Sequence, residues 1–211
     1  MEKKDLRPAV VFHYFDEVCQ VPRPSKKEEK IRAYLLDFAK KHNLEAKTDE
    51  AGNVLIKKAA SAGMENLKTV ILQSHIDMVC EKNKDTEHNF ETDPIQTYID
   101  GEWLRAKGTT LGADNGIGVA TELAVLASDD IKHGPIECLF TVDEETGLTG
   151  AFALKEGFMN GDILLNLDSE DDGELFIGCA GGANTTAIYP FPTEKAPQGW
   201  FFFRVSVKGL T

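Results

Sequence analysis

Two segments near the N-terminus place apolar residues at the spacing of an amphipathic α-helix. Val11, Phe15 and Val18 form the apolar stripe of the first segment, and Ile31, Leu35 and Phe38 form that of the second. Just before the second stripe, Ser25 and Glu28 have the spacing of a capping box, in which Ser25 caps a free N–H group and Glu28 reaches back. The pattern therefore predicts two N-terminal helices, the second of them capped by Ser25.

Longer apolar runs predict the strands of a central sheet. Three of them, Thr69–His75, Ile136–Val142 and Asp162–Leu167, are almost continuously apolar, and a shorter strand is expected at Asn53–Lys57. Near-continuous apolar runs are typical of a sheet that is buried on both faces. Helices predicted from about residue 115 to 128 and from 150 to 155 separate the three central strands. This alternation predicts an α/β fold: a doubly wound, mainly parallel sheet with flanking helices.

Composition limits the class of partner and the compartment. The 211 residues are 42% hydrophobic, which is enough for one core. There are 23 basic and 35 acidic residues, and 23 − 35 gives a net charge of −12, which argues against nucleic acid or an anionic membrane surface as the main partner. No apolar run approaches the roughly 18 residues of a membrane-spanning helix. The four cysteines form no CxxC pair, so we expect a reducing, cytoplasmic location.

Side chains of the type that bind metals follow each of the three central strands. The strands end in His75-Ile76-Asp77, in Asp143-Glu144-Glu145 and in Asp168-Ser169-Glu170, and Asp114 stands where a helix is predicted to start. Ligands of α/β proteins bind at the carboxyl ends of the strands. His75 and Asp77 are two residues apart and so share one face of an extended strand, where Asp77 could support the ring while its other nitrogen binds a metal.

These residue types favour particular metals and a particular chemistry. One imidazole with several carboxylates and no thiolate suits Zn²⁺, Mn²⁺ or Co²⁺. Two divalent cations would neutralise the clustered carboxylates, polarise a carbonyl group and generate a hydroxide near neutral pH. A carboxylate that is not itself a ligand must then take the proton of the water. Adjacent Glu144 and Glu145 could supply one base and one ligand.

Each of these residues also has an ordinary structural interpretation. Asp114 could simply cap its helix, and Glu144 and Glu145 could belong to a solvated loop. His75 could be an ordinary polar residue, as a single histidine at the end of a strand usually is. Packing alone does not readily produce three such strand endings together with Asp114.

Two other motifs are weaker. The segment that begins at Asp168 starts like a calcium-binding loop, but its twelfth position is Cys179, where a bidentate Glu is required. Gly116 and Gly118 are only a fragment of a nucleotide-binding fingerprint and do not directly follow an obvious strand.

Four motifs that occur in order resemble a known enzyme family. They are Ser74-His75-Ile76-Asp77-Met78-Val79, Thr110-Leu111-Gly112-Ala113-Asp114-Asn115-Gly116, Asp143-Glu144-Glu145-Thr146-Gly147 and Asn166-Leu167-Asp168-Ser169-Glu170. Together they resemble the co-catalytic zinc peptidase family that includes carboxypeptidase G, aminoacylase and the bacterial dipeptidases. The complete sequences of the four motifs are most similar to the aminoacyl-histidine (Xaa-His) dipeptidase branch of this family, also called peptidase D. The resemblance implies a zinc-dependent hydrolase of dipeptides with C-terminal histidine.

The resemblance also implies a role for each candidate residue. The implied ligands of two zinc ions are His75, Asp114, Glu145 and Asp168. Among these, Asp114 would bridge both ions, and Glu145 would bind the second. Asp77 would orient the ring of His75. Glu144 would be the general base that passes the proton of the attacking water to the leaving amine.

Members of this family are much longer than 211 residues, so the resemblance implies that the chain corresponds to the N-terminal part of such an enzyme. Residues 1–190 would belong to the catalytic domain, and residues 191–211 would begin a lid domain through which the complete protein could form a homodimer. A late histidine ligand of the second zinc would lie outside these residues. Two alternatives stay open: another hydrolase of the family, such as an aminoacylase or a tripeptidase, and a non-catalytic metal-binding fragment.

Overall fold

The described part of the chain forms seven strands and five α-helices. The computed structural model describes residues 2–169, 171, 173–179, 181, 185–190, 192–201, 203 and 205. The strands are β1 (Glu45–Thr48), β2 (Val54–Lys58), β3 (Val70–His75), β4 (Thr97–Asp100), β5 (Trp103–Ala106), β6 (Ile136–Thr141) and β7 (Ile163–Asn166). The helices are α1 (Ala9–Cys19), α2 (Glu29–Lys41), α3 (Ala113–Ala127), α4 (Glu144–Gly147) and α5 (Thr149–Ala153), and a short 3₁₀ turn covers Lys3–Asp5.

The central sheet has five strands in the order β1-β2-β6-β3-β7. The three strands predicted as central, β3, β6 and β7, run parallel, whereas β1 and β2 add two antiparallel pairings at one side. The predicted α/β class is therefore confirmed, with a sheet that is mixed because the β1–β2 hairpin joins it beside β6. A separate hairpin of β4 and β5 forms in the segment between β3 and α3.

The main core lies between one face of the sheet and helices α1, α2 and α3. The three helices contribute apolar side chains such as Phe15, Leu35 and Leu123, which pack with Ile56 and Phe140 of the sheet. A smaller cluster covers the opposite face, where Leu55, Ile71 and Leu139 are buried against Leu154, Phe158 and Met159. Alternate residues of β2 and β6 therefore point into two different apolar layers, which explains their continuous apolar runs.

Two expectations from the sequence need correction. All four residues of β7 are exposed, because in the described part of the chain only β3 pairs with it and it forms an edge of the sheet. The capping box before α2 is also wrong. The N-cap of α2 is Glu28, whose side chain accepts from the backbone N–H of Lys26 at 2.8 Å, and the hydroxyl of Ser25 bonds to the charged acceptor Asp77.

The described residues up to 171 belong to one compact unit, and those from 173 onward belong to a second. No described residue of the second unit lies in a helix or strand. The division at 190/191 and the lid that would follow stay predictions, since residues 191, 202, 204 and 206–211 lie outside the described residues. None of the described helices is both long enough and apolar enough to cross a membrane.

An acidic side chain lies in the core between α3 and the sheet. Glu122 is fully buried, and its Oε2 atom accepts a hydrogen bond from the hydroxyl of Ser74, while Oε1 has no partner among the described residues. Burial raises the pKa of Glu122 well above its usual range, and the hydrogen bond from Ser74 offsets only part of this effect. The side chain is therefore accommodated in its protonated form.

This burial predicts a pH-dependent stability that Glu122→Gln removes. Because the folded protein holds the proton of Glu122 more tightly than the unfolded chain does, its stabilising contribution is complete below the unfolded pKa near 4.5 and is lost as the pH rises. Relative to the variant, the native protein should lose about 1.4 kcal/mol of unfolding free energy per pH unit above that point. Urea unfolding between about pH 5 and 7 measures this difference. A difference that does not change with pH, or the same trend in exposed Glu87→Gln, would contradict the interpretation.

Candidate metal centre

The candidate residues come together at one edge of the sheet. Parallel pairing places the carboxyl ends of β3, β6 and β7 side by side, with His75 opposite Thr141 and Gln73 opposite Asn166. The segments that follow these strands, together with the start of α3, carry all six residues singled out from the sequence. Tertiary structure thus converts four separate motifs into one cluster.

His75 lies at the centre of this cluster. It is the last residue of β3, and only 1% of its surface is exposed. Its Nδ1 atom lies 3.2 Å from Oδ1 of Asp77, and its Nε2 atom lies 2.9 Å from Oδ1 of Asp114 and 3.6 Å from Oδ1 of Asp168. Burial by itself would lower the pKa of His75, but the contacts with Asp77 and Asp114 outweigh it and raise the pKa to about 9.

Asp77 is the buried acceptor behind the imidazole ring. Its side chain is fully buried, and it accepts hydrogen bonds from the hydroxyl of Ser25 at 2.7 Å and from the backbone N–H groups of Glu144 and Glu145 at 3.0 and 3.2 Å. Burial by itself would raise the pKa of Asp77, yet the hydrogen bonds from His75, Ser25 and the Glu144 backbone lower it to about 2. Asp77 is therefore an ionised carboxylate that faces Nδ1 of His75.

Asp114 and Asp168 approach the opposite nitrogen of the ring. The residues Asp114 and Asn115 at the start of α3 depart from helical backbone angles, and the peptide bond between them is cis. The amide Nδ2 of Asn115 donates to Oδ1 of Asp168 at 2.6 Å and to the carbonyl of Leu167 at 3.2 Å. Burial raises the pKa of Asp168, and the nearby Asp114 adds to this effect while His75 and Asn115 oppose it.

Glu144 and Glu145 complete the cluster from the turn after β6. Asp143, with φ of 52°, lies in the left-handed region immediately before α4 and redirects the chain toward the site. Burial raises the pKa of both glutamates, and for Glu144 the carboxylates of Asp168, Asp77 and Asp114 raise it further. Acidic groups therefore converge here from four segments of the chain.

The donor set fits a pair of divalent cations. One ligand atom each of His75, Asp114 and Asp168 lies within 4.8 Å of the others, and the same holds for His75, Glu144 and Glu145. The two groups share His75, so they are parts of one site. An imidazole with several carboxylates is a suitable ligand set for Zn²⁺, Mn²⁺ or Co²⁺. Burial raises the pKa values of Glu144, Glu145 and Asp168 and the neighbouring carboxylates raise them further, and a bound cation would offset both effects.

A third acidic group lies below the site and has a structural role. The buried carboxylates of Glu28, Asp77 and Asp143 also lie within 4.8 Å of one another. Each is hydrogen-bonded: Glu28 accepts from the backbone N–H of Asp143 at 3.0 Å, and Asp143 accepts from the hydroxyls of Thr146 and Thr149. These bonds connect the start of α2 with the turn that carries Glu144 and Glu145.

Three supporting residues were not identified from the sequence as members of the site. The sequence pattern predicts that Ser25 caps a helix, and it predicts no role in the site for Asn115 or Arg23. The only local signs of a special role are that Asn115 follows the motif residue Asp114 and that Arg23 stands between Pro22 and Pro24. Their partners are distant in sequence, so periodicity and spacing could not identify them.

The glycines of the Gly116-Ile117-Gly118 segment are explained by packing. A Cβ atom on Gly116 would lie 2.7 Å from the guanidinium Nη2 of Arg23 and 3.1 Å from the ring of Phe15. A Cβ atom on Gly118 would overlap with the side-chain oxygen of Asn115. These contacts account for both glycines without a nucleotide.

A shallow cavity of about 260 Å³ opens beside the cluster. Its lining includes the polar side chains of Asp114, Asn115 and Asp168 and the apolar side chains of Ile117 and Leu167. A small molecule that has one polar group near the carboxylates and one apolar part would have room in this cavity.

The fold and the clustered donor atoms form a candidate metal site, and comparison with known proteins identifies the family. The chain belongs to peptidase family M20/M25/M40, whose family model matches residues 71–189. The match covers all four motifs, so the resemblance to this peptidase family is confirmed.

Individual relatives are dipeptidases by name. The chain is 49% identical over 209 residues to the cytosol non-specific dipeptidase of Escherichia coli, and the match covers 99% of this chain and 43% of that protein. It resembles the crystal structure of aminoacylhistidine dipeptidase from Vibrio alginolyticus with a TM-score of 0.80 and 58% identity, over 82% of this chain and 35% of that one. Aminopeptidase PepT from Bacillus cereus is more distant, with a TM-score of 0.65 and 26% identity over 77% of this chain and 43% of that one. The chain thus spans less than half the length of these relatives.

The turn that carries Glu144 is anchored by Asn53, and this anchor is testable. Asn53 is fully buried: its Nδ2 donates to Oδ2 of Asp49 at 2.7 Å and to the carbonyl of Gly150 at 2.8 Å, and its Oδ1 accepts from the N–H of Val142 at 3.1 Å. Asn53→Asp would replace the donor by a buried carboxylate that faces the half-buried carboxylate of Asp49. We expect a loss of about 3 kcal/mol of unfolding free energy at neutral pH, which lessens at acid pH.

Chemical denaturation with urea measures this loss, and Asn83→Asp in an exposed loop is the matched control. A loss in Asn53→Asp no larger than that of the control would show that the Asn53 contacts contribute little to the position of the turn.

Proposed function

We propose that this chain carries the metal-binding and catalytic residues of a two-zinc dipeptidase that hydrolyses Xaa-His dipeptides. The observation that supports this most directly is the convergence on His75 of carboxylates from four chain segments, with Glu144 beside them. Membership of a peptidase family and the names of two relatives, both dipeptidases, support the same class of reaction, peptide hydrolysis.

His75, Asp114 and Asp168 would hold the first zinc, and Asp114 and Glu145 would contribute to the second. When bound, the two cations would lower the pKa of a water molecule and polarise the peptide carbonyl group. Mn²⁺ or Co²⁺ would be acceptable to the same donor atoms. Because Asp114 lies at Nε2 of His75 with half of its side chain exposed, it is well placed to reach both ions.

Asp77 would determine the tautomer of His75. As an ionised carboxylate at Nδ1 it favours a proton on that atom, and a bound metal ion would replace the proton of Nε2, the atom that faces Asp114 and Asp168. Asp77 also accepts from the backbone of Glu144 and Glu145, so one carboxylate positions both the imidazole and the proposed base.

Glu144 would be the general base and proton shuttle. Partial burial raises its pKa, which makes its carboxylate a better proton acceptor than a solvated glutamate. It would take the proton of the attacking water and deliver it to the amine of the leaving residue. No other role is needed for Glu144, since its side chain does not take part in the hydrogen bonds that hold the turn through its backbone.

The substrate class is proposed from the relatives. The Vibrio alginolyticus protein is named an aminoacylhistidine dipeptidase and the Escherichia coli protein a cytosol non-specific dipeptidase. We propose the cytoplasm as the compartment, because the second name places that relative in the cytosol and all four cysteines of this chain are free. Dimer formation through a lid in the whole protein belongs to the same proposal.

Metal content tests the site. In the whole protein that contains this chain, we expect two zinc ions per chain, measured by atomic emission after dialysis, and fewer than one in Asp114→Ala because the bridging carboxylate is lost. Exposed Asp100→Ala is the matched control and should retain both ions. A native protein without bound zinc, Mn²⁺ or Co²⁺ would refute the proposed metal centre.

Removal of the base separates catalysis from metal binding. Glu144→Gln should lower kcat for Xaa-His hydrolysis by about 100-fold or more, because the proton acceptor is lost, while zinc content stays at the native level. Exposed Glu102→Gln should have native kcat. An active Glu144→Gln enzyme would rule out this base, and faster hydrolysis of N-acyl amino acids or tripeptides than of Xaa-His dipeptides would rule out the proposed substrate.

A further inference from the structure

Arg23 is a buried arginine that bonds to backbone atoms on two sides of the metal centre. It is 2% exposed. Its Nη1 donates to the carbonyls of Ile76 and Asp77 at 3.2 and 2.7 Å, and its Nη2 donates to the carbonyl of Gly112. Within the described residues it forms no ion pair with a carboxylate, which is unusual for a buried charge.

The three carbonyls belong to two separate segments that carry proposed metal ligands. Ile76 and Asp77 directly follow His75 at the end of β3, whereas Gly112 precedes Asp114 by two residues. No described strand pairing joins these two segments at that point. The guanidinium group therefore bridges them through hydrogen bonds from two different nitrogen atoms.

The chain around Arg23 holds the side chain in this position. Arg23 stands between Pro22 and Pro24, and proline restricts both its own φ and the conformation of the residue before it. Pro24 pairs with Met78 in an isolated β-bridge, and Ser25 donates to the carboxylate of Asp77. The same short segment thus contacts the carbonyl and the side chain of Asp77.

Two glycines on either side of Asp114 leave room for the guanidinium group. A Cβ atom on Gly112 would lie 2.5 Å from Nη2 of Arg23, and one on Gly116 would lie 2.7 Å from it. Gly112 has φ of 70°, which also favours glycine, but Gly116 has no such backbone requirement. The space at Gly116 is therefore explained by Arg23 and by the ring of Phe15.

From these contacts we infer that Arg23 is a positioning residue of the metal centre, which holds the His75–Asp77 segment and the Asp114 segment at the separation that a shared metal ion requires. The inference rests on the proposed function, since it concerns the same metal site. The side chain of Arg23 donates to backbone carbonyls of these two segments, and it is through them that it would act on the ligands.

A lysine side chain at position 23 cannot form this set of hydrogen bonds. The guanidinium group presents its N–H donors in a planar fork, and here two of its nitrogens serve carbonyls on opposite sides. A lysine ammonium keeps the positive charge but is a single donor centre. Arg23→Lys therefore tests whether geometry, rather than charge, is what the site requires.

The test is the zinc dissociation constant of the whole protein, measured by competition with a chromophoric chelator. We expect about 10-fold or more weaker zinc binding in Arg23→Lys, the range found when groups that orient metal ligands are removed. The midpoint of unfolding is measured in parallel for the metal-free form of each protein. We expect weaker zinc binding in Arg23→Lys even if its midpoint equals that of the native protein. Lys27→Met, which removes an exposed charge paired with Glu91, should bind zinc as the native protein does.

Gly116→Ala provides a second route to the same answer if Arg23→Lys does not fold. Its methyl group would displace the guanidinium group while the arginine and its charge stay in the chain, so we again expect about 10-fold weaker zinc binding. Native zinc affinity in a folded Arg23→Lys or Gly116→Ala protein would overturn the inference, as would equal weakening in Lys27→Met. If the native protein itself binds no zinc, the proposed function fails instead, which is a distinct result.

Discussion

The buried carboxylate of Asp77 is the interaction on which the geometry of the site depends. An ionised carboxylate in a protein interior is tolerated only when hydrogen-bond donors surround it. Here the donors come from three separate places: the ring of His75, the hydroxyl of Ser25 and the backbone at the start of α4. To satisfy this one group, the fold has to bring the end of β3, the segment before α2 and the turn after β6 together. The position of Glu144 is a consequence of that requirement.

A layered arrangement of charge follows from this anchor. The outer layer is acidic: Asp114 and Asp168 lie on the Nε2 side of His75, and Glu144 and Glu145 lie close to the same ring. Behind it lie groups that are fully hydrogen-bonded, with the guanidinium group of Arg23 as the buried positive charge. Divalent cations would complete the outer layer, because they would stabilise the ionised form of carboxylic groups whose pKa values are raised by burial and by one another.

The sheet provides the frame for both layers, and its two sides differ. Strands β2, β6 and β3 are packed between two apolar layers, so the ends of β3 and β6 are held rigidly where His75 and Asp143 begin the site. Strand β7 is an exposed edge in the described chain, and Asp168 beyond it is held instead by the amide of Asn115. That contact couples Asp168 to the start of α3, and so the fourth segment of the site is positioned by a side chain rather than by packing.

Much of the fold and of the candidate site could be predicted from the order of residues alone. Apolar periodicity located α1, α2 and the three parallel strands, because helix and strand repeats are local properties of the chain. The placement of His75, Asp114, Glu144 and Asp168 at the ends of elements, together with the rule that parallel strands share one carboxyl edge, was enough to predict that they would meet. The sequence by itself thus determined the element types, the edge that bears the site and the kinds of ligand gathered there.

Only the tertiary structure decided what holds those ligands in place. Ser25 has the spacing of a helix cap, yet the buried Asp77 is 52 residues away and offers it a charged acceptor. Gly116 resembled part of a nucleotide loop, but it makes room for a guanidinium group from a segment more than ninety residues earlier in the chain. The hairpin of β1 and β2 joined the sheet beside β6 and made it mixed, which no local pattern indicates. Such contacts depend on which distant groups are left without partners when the elements pack, and that is a property of the folded chain as a whole.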